Sequence, residues 1–185
     1  SFWRVLVAGI PLGGVSVLYF ARKPAFFALV LALVGCSKPA APPAAATDDF
    51  GDSVRVGRPP SRIVSLSPAT TEILFTLGAG QRLVGRTKYD LWPDSAKLIP
   101  SVGDGIRPNV EAVLAVHPDL VVIYASQDNR PAAPRLRAAG VNTLAVRGEH
   151  IAEFRRVVQL LGPIIGDSVP ARSLADSVYH TLDRV

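Results

Sequence analysis

The sequence predicts an α/β fold with a mainly parallel sheet. Three observations carry that expectation. After residue 59, short β-branched runs alternate with stretches of helical spacing. Leu120-Val121-Val122-Ile123-Tyr124 is apolar on both faces, as a strand covered by helices on each side must be. Glycine and proline mark most of the changeovers, so the elements are short and connected as β-α-β units.

Taken in order, Arg62-Ile63-Val64-Ser65-Leu66 reads as the first strand. Ser67-Pro68 follows, a capping residue with proline in the first helical position. Ile73, Leu74 and Leu77 recur at helical spacing, and Gly78 and Gly80 end the helix. Leu83-Val84 is a second strand. Residues 86–107 read as loop, with Trp92-Pro93, Pro100, Gly103 and Gly105. Pro108-Asn109 opens a helix with Val110, Val113, Leu114 and Val116 on its apolar face, and Pro118-Asp119 ends it. After the strand at 120–124, a helix closes at Arg135–Ala139 and Gly140, and Val141–Val146 forms another strand. Ile151–Leu161 is a helix stopped by Gly162-Pro163. Val169–Val185 is again helical in pattern.

Composition narrows the function classes. The chain has 185 residues, 49% hydrophobic and 19% charged, which suits one domain with extensions and excludes collagen, a long coiled coil and a wholly disordered chain. A single cysteine excludes an internal disulfide framework. His117, His150 and His180 lack the HExxH spacing, so no metal site is expected, and His117 and His150 read as surface residues. The net charge is +5, but Arg4, Arg22 and Lys23 precede Cys36 without any acid, and the remaining bases nearly balance the 15 acids. With no basic run of five, nucleic acid is not an expected partner. GxGxxG, GxxxxGK[ST] and GxSxG are all missing, which disfavours a nucleotide-binding domain or an α/β hydrolase.

The amino end reads as an address. Arg22-Lys23 precedes the apolar run Phe26–Val34, which is shorter than the roughly 20 residues a spanning helix needs. It ends in Leu33-Val34-Gly35-Cys36, which resembles a bacterial lipobox and implies lipidation at Cys36, export and a membrane tether; a buried cysteine is the alternative. The apolar stretch Phe2–Phe20 stands further upstream. Residues 1–35 are thus expected to be signal and upstream hydrophobic segment. Residues 36–58, rich in proline and alanine at first, are expected to be a tether.

The folded part resembles a known family. Ile63-Val64-Ser65-Leu66-Ser67-Pro68-Ala69-Thr70-Thr71-Glu72-Ile73-Leu74, then Leu77-Gly78-Ala79-Gly80 and Leu83-Val84-Gly85, resemble the start of the cobalamin and iron-siderophore substrate-binding proteins of ABC importers. Asn109-Val110-Glu111-Ala112-Val113-Leu114, running to Pro118-Asp119-Leu120-Val121-Val122, is similar to the family's second signature. The resemblance implies two Rossmann-like lobes joined by a long rigid helix, with ligand between them. Residues 59–166 would be the N-terminal ligand-binding lobe and 167–185 the start of the interlobe helix. The second lobe is missing, and with no methionine in the chain the expectation is a truncated sequence.

The same resemblance implies a non-enzymatic role: an exported lipoprotein, with no cofactor of its own, that captures cobalamin or a related metal chelate such as a siderophore or haem and delivers it to an ABC permease. Glu111 would dock to permease arginines; its alternative is an acid favouring the helix dipole. Ser67, Pro68, Ala69 and Thr70 form the turn beyond the first strand, where α/β sheets bind ligands, or else merely cap a helix. Tyr89, Trp92 and Tyr124 offer flat rings to a macrocycle, or else pack inward. The cobalamin pattern has tryptophan where Gly105 falls, whereas siderophore binders place arginine in this loop, which makes Arg107 a candidate or a solvated side chain. Asp128 and Arg130 are turn residues that could rim the cleft. The enzyme alternative is an exported α/β hydrolase, for which Ser67 has no activating motif.

Overall fold

The structure, a computed structural model, describes residues 44–166 and the helical positions Ser173, Asp176, Ser177 and His180. The expected signal segment, Cys36 and the first part of the tether lie outside the described residues, as does most of 167–185.

The elements are β1 (Ala44–Thr47), β2 (Ser53–Val56), β3 (Ile63–Leu66), α1 (Pro68–Thr76), β4 (Leu83–Gly85), α2 (Val110–Ala115), β5 (Leu120–Tyr124), α3 (Ala132–Ala138), β6 (Asn142–Val146) and α4 (Ile151–Ile165). β3 to β6 form a four-stranded sheet in the order β4-β3-β5-β6, with every pairing parallel. The fold is therefore the α/β arrangement that the sequence predicts. The register of the central pair runs from Ile63 against Leu120 to Leu66 against Ile123.

Strand periodicity explains why both faces are apolar. Ile63, Leu120, Val122, Leu144 and Val146 point to one face, where they meet Ile73, Leu74 and Leu77 around α1 and Val157, Val158, Leu161, Ile164 and Ile165 of α4. Val64, Leu66, Val121, Ile123 and Ala145 point to the other, against Val110 and Val113 of α2 and Ala132 and Leu136 of α3. Each buried leucine or isoleucine contributes about 1.5–3 kcal/mol relative to exposure.

Two expectations change. First, the tether expected over 36–58 does not extend through its second half: β1 and β2 pair antiparallel as a hairpin. Asp48 is buried at its turn. One carboxylate oxygen accepts from Phe50 N at 3.0 Å and Asp52 N at 2.9 Å, and the other from Ala145 N and Arg137 Nη2, both at 3.1 Å. Asp48 thus organises the turn and helps to hold it to β6. Second, α4 does not stop at Gly162-Pro163 but runs to Ile165. Burial of Ile164 and Ile165 offsets the hydrogen bond lost at Pro163. Gly166 then ends the helix at φ 84°, where a glycine backbone is unstrained, and Arg82 Nη1 donates to Ile165 O at 2.7 Å.

The Pro118-Asp119 step has a structural explanation. The Asp119 carboxylate accepts from Ser61 N and Ser61 Oγ, both at 2.8 Å, and from Arg62 N at 3.0 Å, which fixes the entry to β3 beside the entry to β5. Partial burial works to raise the Asp119 pKa, but these donors outweigh it and hold the carboxyl below its ordinary value of 3.8. The charged form is the one the fold stabilises. Its contribution is therefore present above the unfolded pKa and is lost as pH falls through the lower, folded one. Asp119→Ala should cost about 1 kcal/mol at neutral pH, since partial exposure weakens such bonds. The gap to the parent chain in urea unfolding should close as pH drops below about 3.8. A gap that is constant with pH contradicts this account.

Candidate binding cavity at the carboxyl ends of β3 and β5

The strand order reverses between β3 and β5: β4 lies on one side of β3 and β5 on the other. Connections leave the ends of these two strands in opposite directions, opening a crevice there. A cavity of about 380 Å³ occupies it, lined by Leu66, Ser67, Pro68, Thr87, Tyr89, Asp104, Gly105, Ile106 and Tyr124. A smaller one of about 160 Å³ adjoins it, sharing Ser67 and Tyr124 and reaching Ala69, Thr70, Val146 and Phe154.

Ser67 occupies the N-cap position of α1 with extended backbone, but its side chain makes no capping hydrogen bond. Ser67, expected to cap the helix, instead lines both cavities. Tyr124 ends β5 half-buried, and its hydroxyl donates to Glu149 Oε1. Tyr89 is 59% exposed. Its position follows from Asp90, which is fully buried and accepts hydrogen bonds from the hydroxyls of Thr71 on α1 and Thr87. Thr87 Oγ1 in turn accepts from Tyr89 N at 3.2 Å. A buried carboxylate needs such donors, so the loop is held down at Asp90 and Tyr89 is left at the mouth.

The opposite wall is tied to β5 by Asn129, also fully buried. Its Nδ2 donates to Gly105 O at 2.8 Å and Tyr124 O at 3.0 Å, while its Oδ1 accepts from Arg107 N at 2.9 Å. Gly105 presses against the end of β3: a Cβ there would lie 2.5 Å from Leu66 O. The two walls meet at an ion pair, Lys88 Nζ to Asp104 Oδ1 at 2.8 Å. The ammonium bonded to Asp104 holds that carboxyl below the usual range, and Asp104 raises Lys88.

Of the residues singled out from the sequence, Ser67, Pro68, Tyr89 and Tyr124 line the larger cavity, and Ala69 and Thr70 the smaller. Trp92 and Arg107 line neither. Trp92 is 64% exposed, beyond Tyr89 on the same loop. Arg107 turns away, its Nε and Nη2 donating to Asp128 Oδ1 at 3.0 and 2.9 Å, beside a separate groove that also includes Arg135. Sequence reasoning missed Thr87, Asp104, Ile106, Asp90 and Asn129. An acid set between Gly103 and Gly105 is the available signal for Asp104. Glu111 stands exposed in the first turn of α2, paired with Arg135 Nη2 at 2.8 Å. Among the described residues, no group of three histidine, cysteine or acidic side chains could hold a metal ion, and no helix is long and apolar enough to cross a membrane.

Residues 63–185 match the family model described as periplasmic binding protein. The chain is 32% identical over 179 residues to the uncharacterized ABC transporter substrate-binding lipoprotein YvrC of Bacillus subtilis (strain 168), covering 87% of this chain and 57% of that protein. It is 36% identical over 93 residues to the vitamin B12-binding protein of Yersinia pestis (strain Pestoides F), covering 50% of this chain and 33% of that one. Among solved structures, a periplasmic heme binding protein from Pseudomonas aeruginosa matches with a TM-score of 0.64 and 26% identity, over 68% of this chain and 45% of that chain. The chain spans less than two thirds of the length of each.

Gly105→Ala tests the close approach that shapes the cavity. The added methyl has to displace the 103–107 loop or Leu66, so the substitution should cost about 1–3 kcal/mol in urea unfolding. A midpoint equal to the parent's contradicts the contact.

Proposed function

Since the chain belongs to the periplasmic binding protein family, we propose that it is the substrate-capturing part of an ABC importer, taking cobalamin or a related metal chelate such as haem. The observation that carries this reading is the cavity itself. It lies at the sheet's switch point, has aliphatic and aromatic walls from Leu66, Pro68, Ile106, Tyr89 and Tyr124, and is of the size that receives part of a large flat ligand. Tyr89 and Ile106 in its wall remain more than half exposed, as do Leu91 and Trp92, which follow Tyr89 on the same loop. The names of the relatives, a vitamin B12-binding protein and a heme binding protein, support the same ligand class. A siderophore is the further member of that class. Tyr89 and Tyr124 would stack on the macrocycle, with Trp92 reaching it from the rim.

Delivery would run through Glu111. Its carboxylate is 74% exposed, and its partner Arg135 is 60% exposed. An exposed pair of this kind contributes little stability, so Glu111 can exchange Arg135 for an arginine of a permease at small cost. In the same reading the lipobox cysteine, Cys36, carries the acyl anchor that keeps the protein at the membrane; the lipoprotein name of the Bacillus relative supports this.

Isothermal titration with cyanocobalamin and with hemin tests the ligand. Saturable binding of either is expected, and Tyr89→Ala should weaken it about tenfold through the lost stacking face. If neither chelate binds, the reading fails. Docking is tested separately: Glu111→Arg should leave chelate affinity within about twofold but abolish stimulation of the reconstituted importer's ATPase. Normal stimulation by that variant would remove Glu111 from the interface.

A further inference from the structure

Asp104 is the one full charge on the wall of the larger cavity; the other lining residues are aliphatic, hydroxyl-bearing, aromatic or glycine. It does not stand there uncompensated. Lys88, on the opposing loop, reaches Asp104 Oδ1 at 2.8 Å, and the same ammonium lies 4.9 Å from the centre of the Tyr89 ring. The backbone aligns the two loops for this contact, since Lys88 N donates to Gly103 O at 3.0 Å. The pair is about half exposed, so it stands at the mouth rather than in the core. Its value for stability is correspondingly small.

We propose that the Lys88–Asp104 pair is a charge filter at the cavity mouth that sets which chelates are admitted. The inference rests on the chelate-capture reading and deepens it. With the pair intact, the wall presents no net charge, and the Tyr89 face that a ring would stack upon has a cation beside it that is already engaged. A neutral macrocycle meets only stacking and apolar contact. An anionic chelate, with carboxylate arms at its edge, has to draw Lys88 away from Asp104 and then faces the freed carboxylate. Removing Asp104 leaves a free ammonium beside the ring, which favours anionic ligands. Removing Lys88 leaves a bare carboxylate on the wall, which repels them. The alternative is that the pair merely pins two loops together, in which case either loss loosens the cavity for every ligand alike.

The two roles separate by the sign of the effect. The 185-residue chain and the variants Asp104→Asn, Lys88→Gln and the exchanged pair Lys88→Asp with Asp104→Lys are titrated with cyanocobalamin, which is neutral overall, and with hemin, which carries two propionates. Hemin affinity should rise about threefold to tenfold in Asp104→Asn and fall by a similar factor in Lys88→Gln at low salt, with cyanocobalamin moving less than about twofold. The exchanged pair should return hemin toward the parental value, and about 0.5 M salt should shrink both shifts. Hemin affinity that fails to move in opposite directions in the two single variants, or an equal loss for both probes, overturns the filter and leaves chelate capture standing. Failure of both probes to bind the parent chain overturns chelate capture, and the filter with it.

Discussion

The alignment of β3 with β5 is the constraint on which the rest depends. Asp119 lies at the start of β5 and takes three hydrogen bonds from Ser61 and Arg62 at the start of β3. Arg62 completes the clasp by donating to Val116 O at 2.7 Å and His117 O at 2.8 Å, the carbonyls at the end of α2. With the entries locked, Leu66 comes level with Ile123 four residues on. Ser67 and Tyr124, the next residue on each strand, therefore arrive at the same height. A slip of one residue would exchange the faces of the sheet and bury neither set of side chains correctly. The cavity is a consequence of register before it is a consequence of the residues that line it.

Much of this was legible in the sequence, for identifiable reasons. β3 and β5 are β-branched and bounded by turn residues. The α2 start is marked by Asn109, whose side chain accepts from Ala112 N at 3.0 Å. Ser67 and Tyr124 could be placed because the end of a strand needs only the strand to be found. The other half of the wall could not be read in this way. Thr87, Asp104 and Ile106 come from residues 86–107, which contain no period to follow. Their positions are set by Asp90, Asn129 and the Arg86 guanidinium, which donates to Ala96 O at 2.8 Å and Ile99 O at 3.0 Å. Such ties join residues far apart or in irregular backbone, and hydrophobic patterning does not register them. The Arg107–Asp128 pair escapes it for the same reason: only the fold brings the two side chains within reach.

The hairpin β1–β2 shows a different limit. Ala44-Ala45-Ala46-Thr47 follows a run rich in proline and alanine and has weak strand propensity. Composition alone assigns it to the linker. What fixes it as a strand is the acid that follows it, because Asp48 Oδ2 meets its hydrogen-bonding needs against Ala145 N of β6 and against Arg137. Local preference gives way to a tertiary contact nearly a hundred residues distant.

That contact also closes the sheet. The outward groups of β6 are an open template for any extended chain. Here Ala145 N reaches Asp48 Oδ2 and Ala145 O receives Asp49 N, while Arg147 N donates to Asp49 Oδ2. At the opposite margin β4 has only three residues, and Arg86 bridges to Ser101 just past it. Among the described residues, neither margin of this sheet leaves a long run of free amides for a second molecule to pair with. Two chains that meet edge to edge therefore find little unpaired backbone to share.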